Sequence, residues 1–237
     1  MQVIVSPAFI LEERNMAVRF DKSRKVFFLT TAHSEYQMKI HECGMLVHTY
    51  YGSPVGGTDM SYLLKKVDRG FSGNTYESAD DRGLSPDTLP LEYSTYGAGD
   101  YRISALSVIA DNGGRTADLR YVSHTLREGR EALTGLPYVR QEDDKVSSLD
   151  IKLHDEVLKL DVDLIYNVFE DKDVITRSAV ITNTSDKSIV ITKAASACID
   201  FPNARMDLIH FHGRHAMERQ AERTELTHDI HTVGSGR

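Results

Sequence analysis

The feature that most constrains this chain is the alternation of apolar and polar residues in short segments. Leu160-Asp161-Val162-Asp163-Leu164-Ile165-Tyr166-Asn167-Val168 alternates over most of its length. Successive side chains of an extended strand point to opposite sides, so the pattern predicts a strand with one face in a core. Residues 174–182 and 189–192 are β-branched runs, and the polar cluster Asn183-Thr184-Ser185-Asp186-Lys187 between them predicts a hairpin turn. Further strands are predicted at 26–30, 36–40, 45–51, 102–110, 119–125 and 149–153. Asp111-Asn112-Gly113-Gly114 closes the 102–110 segment with a strong turn signal. Residues 16–25 read as a polar run, and no window keeps apolar residues three and four apart for long enough to make a surface helix. The fold class is therefore all-β, a β-sandwich. Neither an internal repeat nor an inter-domain linker interrupts it.

Composition enters as a set of exclusions. With 41% hydrophobic and 27% charged residues among 237, the chain has the makings of a core and is not a disordered tail. Its 28 basic residues face 35 acidic ones, a formal charge of -7, which repels phosphate backbones; no nucleic-acid partner is expected. Cys43 and Cys198 are too few for a disulfide framework or a thiolate zinc site, and both read as small buried hydrophobes. No segment approaches the ~20 apolar residues that span a bilayer, so no membrane partner is expected. The N-terminal MQVIVSPAFILEERN lacks a basic start and a small-residue cleavage site, and so fails as a signal peptide. A cytoplasmic location fits.

Residues 1–15 share no pattern with the rest of the chain. Two readings stand: Met16 is the true start and the preceding residues are translated leader, or they form a loosely attached arm outside the fold of residues 16–237. Residues 52–91 are rich in Gly, Ser, Asp and Pro, a loop of the length usually kept for function or disorder. No nucleophile elbow, P-loop, H-E-x-x-H or dinucleotide fingerprint occurs, and no cofactor is expected. The carboxylate pairs Asp80-Asp81, Asp143-Asp144 and Glu170-Asp171 lie in loop-like text and read as solvated surface. The densest constellation is Ile209-His210-Phe211-His212-Gly213-Arg214-His215. On a strand His210 and His212 share a face, and His215 could return to it after Gly213; this is either a three-histidine metal face or a group of hydrogen-bonding histidines.

Ordered motifs then carry a resemblance. Leu89-Pro90-Leu91-Glu92-Tyr93 with Tyr96-Gly97-Ala98-Gly99-Asp100-Tyr101-Arg102 is similar to the E-Y-P-x-x-G-x-G-D-[FY]-R segment of bacterial melibiase-type α-galactosidases of glycoside hydrolase family 36. Ser94 stands where that family usually has Pro. Asp118-Leu119-Arg120-Tyr121-Val122-Ser123-His124, Gly135-Leu136-Pro137, residues 169–178, residues 195–202 and Gly213-Arg214-His215-Ala216-Met217-Glu218-Arg219 come after it in the family's order.

The resemblance implies a β-supersandwich of the galactose mutarotase type, C-terminally incomplete. It implies an enzyme that releases terminal α-galactose from melibiose- and raffinose-type oligosaccharides with retention, using two carboxylates. In the family these lie on a (β/α)₈ barrel, the nucleophile in a K-W-D-x-N segment; this chain has no Trp, so no catalytic residue is assigned. The chain is expected to be a fragment, inactive alone, that partners a C-terminal catalytic barrel and assembles as a homo-oligomer around an α-galactoside substrate. Val67-Asp68-Arg69-Gly70-Phe71-Ser72 matches the family's L-D-R-A-F-S, which makes Asp68 substrate-binding. His215, where many relatives carry Trp, is the second substrate-binding candidate. Glu92, Asp100 and Arg102 are expected in buried ion pairs or turns. The alternative is an independent β-sandwich module that binds carbohydrate, or metal through His210, His212 and His215.

Overall fold

The computed structural model describes residues 17–68, 73–75, 81–130, 133, 135, 138–139, 145–201, 205–227 and 230–234. They fall into two compact units, one ending at Ile199 and one beginning at Asp200. The two readings of residues 1–15 lie outside the described residues, as do Asp80 and Asp143-Asp144.

The first unit contains two antiparallel four-stranded meanders. One runs β1 (Val18–Asp21), β2 (Val26–Thr30), β3 (Glu35–Ile40) and β4 (Leu46–Gly52). The other runs β6 (Arg120–Glu128), β7 (Val146–Asp155), β8 (Leu160–Phe169) and β9 (Val174–Asn183). Between them in sequence lies β5 (Leu106–Ile109), which pairs with β10 (Val190–Ala194). No α-helix occurs among the described residues, and none of their helices is long and apolar enough to cross a membrane.

Alternation builds the core. Phe27 and Leu29 of β2 and Tyr36, Met38 and Ile40 of β3 join Leu149, Ile151 and Leu153 of β7 and Leu160, Val162 and Leu164 of β8 in one apolar cluster. On β8 the intervening Asp161 and Asp163 stay half-exposed and bind Lys152 of β7 at 3.0 and 3.6 Å. Two sheets that each turn one apolar face inward make the expected sandwich. Cys43 is buried, and Cys198 is half-buried against the core with its Sγ 3.4 Å from Ser94 Oγ.

Three expectations need correction. Residues 183–187 turn the chain but do not close a hairpin. β9 pairs along its whole length with β8, and β10 crosses to β5, where Leu106 and Val108 are core residues. Residues 102–105 do not join β5, because Arg102 is tied to Asp100 and the Ala105 amide donates to Ser94 O and Oγ. The polar run before Lys25 contains β1, whose Phe20 packs on Phe27 at 4.5 Å between ring centres.

The second unit is a hairpin of β11 (Asp207–Arg214) and β12 (Met217–Glu225), the latter unanticipated because MERQAERTE has little alternation.

Candidate functional site

The long loop is anchored on the outer face of the first sheet. Where Tyr36, Met38 and Ile40 of β3 face the core, the intervening Gln37 and Lys39 face the loop. Gln37 Nε2 donates to Thr58 O at 2.9 Å, and its Oε1 accepts the Met60 amide at 3.1 Å. Lys39 Nζ reaches Asp59 Oδ2 at 3.1 Å and Ser61 Oγ at 2.8 Å. Asp59 in turn accepts the Ser61 amide at 2.8 Å and starts the 3₁₀ turn Met60–Leu63. Beneath this lies a second apolar cluster of Cys43, Met45, Val47, Leu84, Leu89 and Leu91, with Leu64 packed against it. The loop is thus tied to the sheet at named points over its described part, while much of its surface faces solvent.

Asp68 follows Leu64 by four residues, outside any helix or strand. Its side chain is 66% exposed and, among the described residues, meets Arg82, whose Nε lies 3.2 Å from Oδ1 and which is itself 63% exposed. Beside them Lys66 Nζ reaches Asp81 Oδ2 at 3.2 Å and Glu42 Oε1 at 3.9 Å. The Gly83 amide and Lys66 hold the Asp81 carboxyl below its ordinary value. Arg69, Gly70, Phe71 and Ser72 of the same motif lie outside the described residues.

The chain returns at Gly73, and the glycine-rich motif fixes that return. Gly99 has φ +100°, and a Cβ there would sit 2.4 Å from Gly73 O. Gly97 and Asp100 exchange backbone hydrogen bonds at 2.8 and 3.0 Å. The buried Asp100 carboxylate takes the Arg102 amide and Nε, each at 3.0 Å, while Arg102 also donates to Leu89 O at 2.9 Å. Asp100 and Arg102 therefore have the structural role expected of them. Sequence reasoning missed Arg82 as Asp68's partner; its charge was visible in Asp80-Asp81-Arg82-Gly83, but nothing local linked it to a residue fourteen positions earlier.

Glu92 has a different setting. It is fully buried, takes hydroxyl hydrogen bonds from Tyr36 and Tyr166 at 2.6 Å each, and lies 3.0 Å from Arg177 NH1. Burial pushes its carboxyl up, against the pull of Arg177 and the two hydroxyls. This is a core ion pair, as expected from the motif.

His215 lies exposed in the turn between β11 and β12, next to Ala216 at φ +64°. Gly213 just before it marks a register shift, and a Cβ there would meet Met217 O at 2.6 Å. His210 and His212 do share one face, with ring centres 5.8 Å apart. The third ligand-bearing side chain grouped with them is Glu222 of β12, not His215. A turn residue beyond the bulge leaves the alternation that holds 210 and 212 together. Asp68 belongs to the first unit and His215 to the second, and each is placed only within its own unit.

An exposed carboxylate on an anchored loop, with a guanidinium beside it, suits recognition of vicinal hydroxyls by charge-assisted hydrogen bonds. Known proteins resemble most of the chain. The bifunctional α-galactosidase/sucrose kinase AgaSK of Mediterraneibacter gnavus is 45% identical over 222 residues, which is 94% of this chain and 24% of that protein. The solved galactosidase domain of AgaSK superposes with a TM-score of 0.85 at 44% identity, over 89% of this chain and 29% of that one. An AgaA α-galactosidase variant of Geobacillus stearothermophilus, solved in complex with raffinose, gives a TM-score of 0.80 at 37% identity, over 86% of this chain and 28% of that one. The chain thus spans about a quarter to a third of the length of the curated relatives it matches. The profile of the Glycosyl hydrolase family 36 N-terminal domain matches residues 44–237, and the chain belongs to that family.

Proposed function

We propose that this chain is the sugar-holding, non-catalytic N-terminal part of a retaining α-galactosidase that acts on raffinose- and melibiose-type oligosaccharides. The relatives' names support the reaction class, and the raffinose complex of one relative supports the substrate class. The observation that carries the residue assignment is Asp68: an open carboxylate on a loop clamped at both ends. Its remaining acceptor capacity suits two adjacent galactose hydroxyls, with Arg82 orienting it from one side. His215 is the second contact, a ring nitrogen presented at a hairpin tip. The two carboxylates of a retaining mechanism belong to the barrel in this reading, since the 237 residues contain no Trp and hence no K-W-D-x-N segment.

The reading places the protein in the cytoplasm, in keeping with Cys43 and Cys198 not being joined in a disulfide. It also makes the protein a subunit of a homo-oligomer.

The test has two arms. The purified 237-residue protein should release no chromophore from an α-galactoside; robust cleavage overturns the non-catalytic assignment. In a complete α-galactosidase carrying this N-terminal sequence, Asp68→Asn should lower kcat/KM by about 10- to 100-fold, the value of one or two hydrogen bonds to a charged group. Unchanged kinetics remove Asp68 from the site.

A further inference from the structure

We propose that His210, His212 and Glu222 form a binding site for a divalent transition-metal ion of the zinc, cobalt or nickel class. The pattern begins in the strand: His210 and His212 are two apart on β11, so their rings project from the same face. The register then supplies the third group. His210 pairs across the hairpin with Glu222 and His212 with Gln220, which places Glu222 on the same face, opposite one histidine and diagonal to the other.

The distances distinguish this trio from an ordinary histidine–carboxylate pair. Glu222 Oε2 lies 3.6 Å from His210 Nε2 and 3.5 Å from His212 Nδ1, nearly equidistant from both. Elsewhere His33 meets Asp173 at 2.6 Å and His154 meets Asp161 at 2.6 Å, each a direct hydrogen bond. A separation of 3.5–3.6 Å is beyond a hydrogen bond. It is, however, the spacing of donors that share a tetrahedral centre: bonds of about 2.0–2.2 Å put ligand atoms about 3.3–3.6 Å apart. All three ligand atoms lie within 4.8 Å of one another, so small rotamer changes bring them onto one ion.

Two imidazoles and one carboxylate form a borderline donor set, suited to zinc, cobalt and nickel and poor for calcium or magnesium. A fourth position stays open to water. His210 Nδ1 is buried without a hydrogen-bond partner among the described residues, so that ring lacks the acceptor that orients and strengthens the histidines of structural zinc sites. The site is therefore an exchangeable one. An ion there cross-links β11 to β12 three residues before His215 and stiffens the turn that carries it.

The experiment is a calorimetric titration of the 237-residue protein with Zn²⁺, paralleled by Co²⁺ absorption to report imidazole ligation. The wild type should bind one equivalent. Glu222→Gln and His212→Ala should each weaken binding by about 10-fold or more, with circular dichroism unchanged. His215→Ala and His33→Ala should bind as the wild type does. Absence of Zn²⁺ binding by the wild type overturns the proposal, as does wild-type affinity in both Glu222→Gln and His212→Ala. Lost affinity in His215→Ala with Glu222→Gln unaffected overturns it in favour of a three-histidine site.

Discussion

Glu92–Arg177 and Asp68–Arg82 are both carboxylate–guanidinium pairs, about 3 Å across, and they have opposite fates. Glu92 has no exposed surface, and Arg177 keeps only 10% of its side chain exposed; two tyrosine hydroxyls complete the carboxylate's shell at 2.6 Å. Asp68 and Arg82 keep about two-thirds of their side chains in water. Buried, neither charge can turn to water, so each member is needed to neutralise the other. Exposed, the pair is worth little and exchanges readily with solvent or a ligand. Chemistry common to both therefore yields a structural fastener in one place and an open, water-facing pair in the other, the pair proposed above to bind sugar.

The sharpest way to break this comparison is Glu92→Ala. It leaves the Arg177 charge buried and two hydroxyls without their acceptor, and should cost about 3–5 kcal/mol in urea unfolding. A cost below about 1 kcal/mol would place Glu92 with Asp68 and end the distinction.

Next comes pH, through His48, which stacks on Tyr36 beside the same knot at 4.7 Å between ring centres. Burial, then the field of Arg177, lowers its pKa from 6.5 to about 4. The unfolded chain takes up this proton first as pH falls. Stability is thus intact above pH 6.5, falls between there and about 4, and loses nothing more to this group below that. The loss is on the order of 3 kcal/mol. His48→Gln should flatten that part of a stability–pH profile; an unchanged slope would assign the loss to other groups.

Gly99→Ala should cost about 2 kcal/mol, since it strains a left-handed residue and drives a methyl into Gly73 O. Its diagnostic effect is local: faster hydrogen exchange at residues 73–75 and weakened sugar contact with Asp68 itself intact. Protection unchanged from the wild type would show that the glycine motif does not hold the loop.

The smallest stability effect belongs to Asp68→Asn, below about 1 kcal/mol by thermal unfolding. A larger loss would make Asp68 a structural residue and remove the contrast with Glu92.

Legibility followed locality. The strands with clean alternation, β8 above all, were readable because a sheet with one buried face imposes period two on its own text. β1 and β12 were not, since four residues are too short for a pattern and MERQAERTE is exposed nearly throughout. Asn183-Thr184-Ser185-Asp186-Lys187 shows the limit of turn chemistry. It forecast a hairpin turn, whereas the chain bends there and the next strand joins another sheet, because that choice depends on where Leu106 and Val108 are buried. At the site, Asp68 came from motif resemblance, and the shared face of His210 and His212 from their spacing. Arg82 and Glu222 did not, being contributed by segments whose proximity no local rule encodes.

The amino-acid order by itself determined that this protein is β-rich, acidic and sandwich-forming, because alternation and charge are properties of neighbouring residues. Only the tertiary structure decided which carboxylates are buried and which face water. It also decided that β10 seeks β5, and that Glu222 rather than His215 joins the two histidines. Those outcomes depend on cross-strand register and on burial, which are set jointly by residues distant in sequence.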